Sequence, residues 1–370
     1  MRIKNWDIFI FVIVYHLLLV VLAPFAIRDF SWTAFWIFFV TNCIGGLSIT
    51  VGYHRLFSHK TYSAHPFFET VILLTSTLAF QWSAYAWSHD HRKHHNHVDT
   101  ELDPYSIKKG FWYAHMLWLF DYDRTIDKSV VADLEQNPRV MFQHKHFLAL
   151  TWIINLAILG VACIWLSPLT ALFYSFVLRV FTVHHSTWFI NSLAHTWGSK
   201  TYAKELTAVD NAVLAVLTFG EGYHNYHHAF ANDYRNGIRW WHFDPTKWIV
   251  WSASKLGMVK NLKKVDRIRL QKILVKKDKQ MILERLNEES GSTAGNLATK
   301  LNELAHAFDT KASLLNRKYA ESRKTSKSKS EKKLIRVEIK HLQQELAAIW
   351  KAWIATTRIA GRLFQLSHAH

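Results

Sequence analysis

Uncharged runs of about twenty residues alternate with short polar breaks along much of the chain, and this pattern predicts membrane-spanning helices. Residues 8–27 carry no charge and have the length that a helix needs to cross roughly 30 Å of hydrocarbon. A short polar break separates them from residues 31–51, which are also uncharged, so the two form a hairpin. Residues 147–166 and 169–190 form a second hairpin, in which the latter run contains one charged residue, Arg179. The pattern therefore predicts a bundle of four transmembrane helices.

The path of residues 70–87 decides the sidedness of the chain. This segment is uncharged and long enough to cross, but it is rich in Thr, Ser, Gln and Trp, so it fits either a span or a helix lying in the membrane interface. Basic residues concentrate on the cytoplasmic side of membrane proteins. Only four crossings, with an interfacial helix at about 70–87, place all the basic segments on one side of the membrane. These segments are Arg2, Lys4, residues 89–146 and the basic tail. We therefore expect four spans with both termini in the cytoplasm.

Charge divides the chain into two parts. Lys and Arg outnumber Asp and Glu by only 19 to 17 over residues 1–254, but by 26 to 11 over residues 255–370, and together these give the net charge of +17. Hydrophobic residues make up 50% of the chain, which excludes a disordered polymer. Cys43 and Cys163 both lie in apolar runs, so no disulfide framework is available. We expect a membrane domain at 1–265 and a basic helical extension at 266–370.

Histidines form four groups that point to a metal site. The spacing H-x-x-H-H occurs twice and places three imidazoles on one helical face. Neutral imidazole is a common ligand of Zn, Cu, Fe and Ni. The groups are His54 with His59; His91 with His94 and His95; Asn191 with His195; and His224 with His227 and His228. Nine histidines are too many for one ion, so two metal ions are implied.

Topology supports a shared site for these groups. With four crossings, all of them lie just beyond the cytoplasmic ends of the spans or in cytoplasmic segments, where they can meet. A metal pair at the membrane surface, beside helices able to enclose an apolar chain, points to a lipid substrate. Isolated histidines such as His16, His65, His115 and His242 are expected to have structural roles. His184 and His185 lie within a predicted span and favour a buried polar network.

At these residues the sequence resembles the membrane fatty acyl desaturase family, in particular its stearoyl-CoA (delta-9) desaturase-like branch. The resemblance covers about residues 7–270 in order and spacing. It rests on the strings Gly52-Tyr-His-Arg-Leu-Phe-Ser-His59, Asp90-His-Arg-Lys-His-His95 followed by Asp99-Thr-Glu-Leu-Asp-Pro104, Asn191-Ser-Leu-Ala-His195, and Gly220-Glu-Gly-Tyr-His-Asn-Tyr-His-His228.

The resemblance implies an all-α membrane protein in which a cytoplasmic helical cap holds a di-iron site. The cofactors would be two Fe ions, cycling between Fe2+ and Fe3+, and O2 would be the co-substrate. The enzyme would introduce a cis double bond, at the delta-9 position, into a saturated C16–C18 acyl chain. The nine histidines would be the iron ligands, and Asn191 would hold a metal-bound water. Redox chemistry of this kind is open to iron and closed to zinc.

Two departures from the branch concern the headgroup of the substrate. His89 stands where the acyl-CoA branch often has an arginine, and Trp82 follows Phe80-Gln81 in a segment that contacts the headgroup. The substrate is therefore an acyl-CoA or an acyl chain in a phospholipid. Arg92, Lys93 and Trp82 are the predicted substrate-binding residues. With Lys108 and Lys109, the first two form a basic cluster that suits CoA phosphates and anionic lipid headgroups equally.

Alternatives and partners remain open at this point. A fatty acid or alkane hydroxylase has similar histidine motifs, and a membrane metal carrier would instead line its crossings with histidines. No haem, flavin or iron–sulfur motif is present, so the resemblance requires a separate electron donor of the ferredoxin, rubredoxin or cytochrome b5 type with its reductase. Basic residues without a reading motif give no reason to expect nucleic acid.

The basic extension carries two amphipathic patterns. Leu297, Leu301, Leu304 and Phe308 follow helical spacing, and Leu342, Leu346, Ile349 and Trp353 repeat it. A helical hairpin around the Lys- and Ser-rich stretch 323–333 would bring these faces together. Adhesion to the membrane surface, pairing with another subunit and docking of an acidic electron donor are all compatible with this pattern. The positive charge favours attachment to anionic lipid.

Overall fold

The computed structural model describes residues 3–288, 292–323 and 328–367, and these residues form an almost entirely helical protein. The chain divides into two compact units at Lys264 and Val265. The predicted all-α class is confirmed. Strand structure in the described ranges is limited to an antiparallel pair, β1 (Ser63–Ala64) and β2 (Val259–Lys260).

The first unit is built from helices α1 to α13. They are α1 (Trp6–Arg28), α2 (Trp32–Ser48), α3 (Pro66–Thr75), α4 (Ala84–His97), α5 (Trp118–Asp121), α6 (Ala132–Glu135), α7 (Pro138–Lys145), α8 (Phe147–Ala162), α9 (Pro168–Leu172), α10 (Leu178–Ser192), α11 (Ala212–Leu217), α12 (His224–Ala229) and α13 (Pro245–Lys255). Turns of π-helix occupy Ile49–Ser58, Tyr113–Leu117 and Phe173–Val177, and turns of 3-10 helix occupy Ser76–Ala79, Ile107–Lys109, Lys128–Val131 and Leu193–His195.

Two helical segments are long and apolar enough to cross a membrane. They are α1, with a mean hydropathy of 2.8, and Trp32–Ser58, which is α2 with its π-helical extension and has a value of 1.7. A third candidate arises if α7 and α8, bent by 76° at their junction, are counted together. The last predicted span lies in the helical stretch from α9 to α10. Its buried Arg179 donates hydrogen bonds to Asn155 and to the carbonyls of Leu78 and Ser175.

The segment predicted as one interfacial helix at about 70–87 is instead two helices with a break between them. The first begins at Pro66 and ends at Ala79, which makes it too short to cross the hydrocarbon. Phe80 and Trp82 then adopt positive φ angles of 52° and 65°. Left-handed residues with side chains cannot continue an α-helix, so α4 starts only at Ala84. The prediction was wrong in joining the two parts.

The π-helical turn at Ile49–Ser58 carries His54, and His59 follows it directly as its C-cap. Turns of this kind are rare and often occur at functional sites. Gly52 allows α3 to approach closely, since a Cβ at this position would lie 2.1 Å from Ile72 Cγ2. His54 and His59 therefore sit on a segment that is packed firmly against its neighbours rather than on a free loop.

The second unit is a bundle of α14 (Arg267–Glu288), α15 (Ser292–Ser322) and α16 (Lys329–Ser367). The two predicted amphipathic faces pack on each other in its core, which includes Leu301, Phe308, Leu346 and Trp353. Lys311 Nζ lies 2.8 Å from Glu345 Oε1 and ties α15 to α16. Because the apolar faces are buried inside the bundle, attachment of this unit to lipid would depend on its charge.

Candidate metal centre

Nine histidine side chains converge in two adjacent groups within the first unit. The first group contains His54, His59, His91, His95 and His227, and the second contains His94, His195, His224 and His228. In each group, one ring nitrogen from every residue lies within 4.8 Å of the others. These are the nine histidines named from the sequence. Four separate segments of the chain thus supply one cluster.

Each H-x-x-H-H motif contributes to both groups. On α4, His91 and His95 join the first group while His94 turns to the second. On α12 the division is reversed, because His227 joins the first group and His224 and His228 join the second. The i, i+4 pair of each motif serves one group and the remaining residue serves the other. Two short helices therefore build both groups and fix the distance between them.

The ring nitrogens face one another at distances that suit a bound cation. His54 Nε2 lies 3.0 Å from His227 Nε2, and His59 Nε2 lies 2.8 Å from His91 Nε2. In the second group, His224 Nε2 lies 3.0 Å from that of His228. Two nitrogens bonded to one metal ion at about 2.0–2.1 Å lie roughly 3 Å apart. The observed spacing matches this value.

Carboxylates close to the opposite ring edge indicate which nitrogen carries the proton. His54 Nδ1 lies 2.8 Å from Glu221 Oε2, and His94 Nδ1 lies 2.9 Å from Asp103 Oδ1. A carboxylate only accepts hydrogen bonds, so each of these Nδ1 atoms must carry hydrogen. The Nε2 atoms of His54 and His94 then present lone pairs to the cluster. Each lone pair faces a second imidazole nitrogen, and a cation held between two nitrogens at this spacing would bind both, so these residues fit a metal centre.

A relay of three groups orients His195 in the same way. Its Nδ1 lies 2.7 Å from Thr207 Oγ1, and Thr207 donates its hydroxyl hydrogen to Asp99 Oδ1 at 2.5 Å. The hydroxyl oxygen is then free to accept the hydrogen on Nδ1. His195 Nε2 is left with a lone pair that faces His224 Nε2 at 3.2 Å.

Glu221 links the centre to a buried network of charges. Its Oε1 accepts hydrogen bonds from Arg55 at 2.9 and 3.2 Å, and Asn236 donates to Oε2 at 2.6 Å. Asp244 holds the other edge of Arg55 at 2.9 and 3.2 Å. Burial raises the pKa of the Glu221 carboxyl, but His54 and Arg55 outweigh it and lower the pKa to about 2. Glu221 is thus a permanent anion behind the first group.

Burial keeps the histidines neutral. Desolvation, together with the charge that neighbouring rings would carry, holds the pKa well below its usual range for the rings of His59, His91, His95, His195, His224, His227 and His228. A neutral imidazole is the form that binds a metal ion. The cluster is therefore ready to accept cations at neutral pH.

The carboxylates and the threonine behind the rings are the functional residues that sequence reasoning missed. Asp99, Asp103 and Glu221 lie inside the motif strings, so their positions were a usable signal, but no role was assigned to them. Thr207 stands outside every motif, and only the structure brings it next to His195.

An apolar cavity of about 400 Å³ reaches the histidines. Its wall contains His54, His91, His94, His224 and Asn191 near the metal groups, and aromatic rings elsewhere. The rings belong to Phe11, Phe80, Trp82, Trp87, Tyr105, Trp118, Phe147, Trp152, Trp188 and Phe219. The volume is that of an ordinary ligand pocket, for which about 300–1,000 Å³ is typical. The arrangement suits an apolar ligand held beside metal ions.

The predicted substrate-binding residues have different surroundings. Trp82 lines the cavity, and the guanidinium of Arg124 lies 4.9 Å from its ring centre. Arg92 instead donates to the carbonyls of Phe57, Ser58 and Val130 and pairs with Asp133. Lys93 is half-buried and lies outside the lining of the cavity. Arg92 thus holds α4 in place, and its guanidinium is occupied by protein groups.

The histidines within the helical spans form a separate network. His16 Nε2 lies 3.1 Å from His185 Nε2, and His185 Nδ1 lies 3.0 Å from His115 Nε2. His184 contacts Tyr15 and the carbonyl of Ala79. These rings connect α1 with α10 and with the π-helical turn at Tyr113–Leu117, and they do not belong to the two metal groups.

Comparison with known proteins agrees with this geometry. The family model for fatty acid desaturases matches residues 30–259. The chain is 43% identical to a probable acyl-CoA desaturase of Schizosaccharomyces pombe over 65% of its own length and 51% of the relative's, and 37% identical to acyl-CoA desaturase 1 of Saccharomyces cerevisiae over 65% and 48%.

The match to a third relative covers almost the whole length of that relative. The sn-2 palmitoyl-lipid 9-desaturase of a Nostoc species is 35% identical over 70% of this chain and 90% of its own. By contrast, the chain spans only about half the length of the two yeast proteins. The match of the family model covers more than half of the chain, including all nine histidines of the two groups. This chain belongs to the fatty acid desaturase family.

Proposed function

We propose that this chain is an O2-dependent acyl desaturase that introduces a cis double bond, at the delta-9 position, into saturated C16–C18 chains presented as acyl-CoA. Membership of the family supports the reaction type. The observation that carries the proposal is the convergence of nine histidines beside an apolar cavity.

The residues around the centre suit iron as the metal. His54, His59, His91, His95 and His227 would hold one ion, and His94, His195, His224 and His228 the other, with Asn191 close to the second. Two bound iron ions would supply, with O2 and two electrons, the oxidising power needed to remove hydrogen from unactivated methylenes. Glu221, Asp103 and Thr207 would keep the ligand rings in the correct tautomer.

The walls of the cavity would position the acyl chain. Aromatic side chains exclude water and give the chain apolar contacts along its length, while His54 and His94 mark where the reacting carbons must lie. Phe219 packs over Gly46 of α2, and both line the cavity. We infer that this pair limits how far the methyl end of the chain can extend.

Arg124 lies beside two residues of the cavity wall and is a candidate to meet a substrate headgroup. It lies over Trp82 and donates hydrogen bonds to Asn5 and Asp7, so a headgroup phosphate would take the place of Asp7 on its guanidinium. Its position favours a phosphate-bearing headgroup such as that of CoA. The acyl-lipid alternative is supported by the Nostoc relative, whose name gives a palmitoyl-lipid substrate and whose length is almost fully matched.

The membrane arrangement and the electron source belong to the same proposal. We place four spans, at α1, at α2, at α8 and at the stretch from α9 to α10, with both termini and the metal centre on the cytoplasmic side. Arg2 and Lys4 support this orientation by their position before the first span. Electrons would come from a separate ferredoxin, rubredoxin or cytochrome b5 type protein with its reductase.

Product analysis in a host fed stearate tests the proposal. Expression of the chain should yield a new cis-9 monoene, and His94→Ala should abolish it while protein remains in the membrane. His97→Ala is the matched control, because His97 lies on the same helix and outside both groups. Hydroxylated products without new double bonds would instead establish the hydroxylase.

A further inference from the structure

Four tryptophans that follow the metal centre in sequence are exposed together on the first unit. Trp240 and Trp241 lie in the loop before α13, and Trp248 and Trp251 lie on α13 itself. Trp240 is 85% exposed and the others are 45–58% exposed. Single exposed apolar side chains need no explanation, but clustered ones mark an interaction surface.

The loop and the helix form one rigid surface, which we name the tryptophan platform (residues 240–251). Lys247 of α13 donates hydrogen bonds to the carbonyls of Gly237 and Arg239 at 2.6 and 3.1 Å. The ring of Phe243 meets that of Trp248 with 5.5 Å between their centres. These contacts fix the loop tryptophans beside the helical ones.

Within the segment 237–257, two cations flank the platform and the acidic residue is buried. Arg239 lies 5.2 Å from the ring centre of Trp241, and Lys255 lies 5.4 Å from that of Trp251. Asp244 is the acidic residue of the segment 237–257, and it is fully buried against Arg55 and the backbone of Asn236 and Gly237. The exposed charge of the segment is therefore positive.

The platform connects to a candidate membrane span at its cytoplasmic end. Thr246 of α13 donates to the carbonyl of Phe219 at 2.9 Å, and its hydroxyl lies 2.7 Å from that of Thr50. The Phe219 ring occupies the space that a side chain at Gly46 would need. Thr50 lies near the end of the uncharged run at 31–51, Gly46 lies one helical turn before it, and α11 adds exposed Val213, Val216 and Leu217.

We propose that the tryptophan platform lies in the headgroup region of an anionic bilayer. Tryptophan concentrates at the membrane interface, where its ring is partly in hydrocarbon and its N–H stays near water, and adjacent Arg and Lys side chains contact anionic headgroups. The platform adjoins the end of a span, which sets it at the required depth. This surface lies in sequence after every predicted span and before the basic extension.

The platform would fix the height of the metal centre above the bilayer. The turn from Thr218 to Tyr223 joins α11 to α12, which carries three of the histidines, and Thr246 holds this turn through Phe219. Lipid contact on this side would complement the spans that enclose the cavity. The inference rests on the proposed crossing of the membrane by α2 and is independent of the reaction catalysed.

Spin-label accessibility in nanodiscs of phosphatidylcholine and phosphatidylglycerol tests the proposal. The full chain carries Cys43→Ser and Cys163→Ser, with a label at Ser252→Cys on the exposed face of α13 or, as control, at Ser129→Cys in an exposed turn. The label at 252 should collide more often with O2, which partitions into lipid, than with a water-soluble nickel chelate. The label at 129 should show the reverse.

Two outcomes overturn the proposal. If the label at 252 collides more often with the nickel chelate than with O2, the surface lies in water. If the label is protected from both reagents, the surface lies against protein. A second measurement avoids the cysteine variants: brominated lipid should quench wild-type tryptophan fluorescence more than that of the Trp240→Phe/Trp241→Phe variant. Equal quenching of the two proteins also refutes lipid contact.

Discussion

Replacing Glu221 by Gln removes a charge from behind the metal centre with almost no change in shape. Two nitrogens of Arg55 and Asn236 Nδ2 donate to the carboxylate, and His54 Nδ1 lies 2.8 Å from its Oε2. Glutamine offers one acceptor oxygen and one amino group that can only donate. Whichever way the amide is placed, a donor faces a donor. If the amino group faces His54, the ring must carry its proton on Nε2, and that nitrogen can no longer bind metal.

The expected loss of metal affinity follows from the position of Glu221 next to a metal-binding histidine. Loss of a carboxylate that orients a metal-binding histidine lowers metal affinity about 10- to 100-fold, which corresponds to about 1.4–2.8 kcal/mol. Arg55 keeps both hydrogen bonds to Asp244, so it is not left as an unpaired buried charge. We therefore expect the Glu221→Gln protein to fold and to lose metal affinity.

Competition with a chelator, followed by measurement of iron per chain, gives the affinity. The matched control is Glu69→Gln, because Glu69 is also a buried carboxylate that accepts hydrogen bonds from an arginine and an asparagine, Arg139 and Asn137, and it lies outside the two histidine groups. The control should keep wild-type affinity. Equal iron retention by Glu221→Gln and wild type would refute the tautomer argument, and equal losses in both variants would show a general effect of removing a buried carboxylate.

Three further predictions follow from the same structure. Because burial lowers the pKa of seven ligand rings in the folded state, the unfolded chain binds more protons below about pH 6.5. The metal-free protein should therefore lose stability as the pH falls toward 5, by at most about 1.4 kcal/mol per pH unit for each ring that stays neutral when folded. A melting temperature constant from about pH 7.5 to about pH 5 would contradict this. Gly46→Ala should force the Phe219 ring to move and lower conversion of C18 relative to C16 chains in competition assays, at a cost of about 1–3 kcal/mol; Gly160→Ala, where nothing lies within 4 Å, should leave the ratio unchanged. Arg124→Gln should raise the KM for stearoyl-CoA several-fold and leave that for a phosphate-free stearoyl thioester unchanged, whereas equal changes in both would assign Arg124 a purely structural role.

Sequence spacing was sufficient to predict which nine histidines the structure brings together. The period of the α-helix places the three histidines of an H-x-x-H-H motif on one face, and this local rule holds for both α4 and α12. It could not show that the two motifs divide oppositely between the groups, with His94 and His227 as the single contributors. That division depends on how the helices cross, which is a property of tertiary packing.

Local sequence patterns could not identify the residues that act through long-range contacts. Thr207 reaches His195 only because the chain folds back after α10, and no spacing rule connects them. Arg92 was expected to meet substrate because it is basic and close to the histidines, yet it binds backbone carbonyls and Asp133. Charge alone does not reveal whether a guanidinium is free or occupied.

The predicted helix boundaries were wrong where the backbone departs from regular helical geometry. The uncharged stretch at 70–87 has the composition of one segment, but Phe80 and Trp82 are left-handed and split it. Large side chains rarely adopt positive φ, so no propensity rule predicts this break. The two amphipathic patterns of the basic extension, in contrast, were read correctly as helix faces, because long periodic helices follow the 3.6-residue rule.

The central claim is that the nine histidines hold two iron ions that drive acyl desaturation. It is tested most directly by mass spectrometry of the product formed by purified, iron-loaded protein from stearoyl-CoA deuterated at carbons 9 and 10, with an electron donor and O2. Desaturation predicts loss of one deuterium from each of the two carbons and no gain of oxygen. A product that has lost a single deuterium and gained oxygen, or no product from protein carrying two iron ions, would contradict the claim.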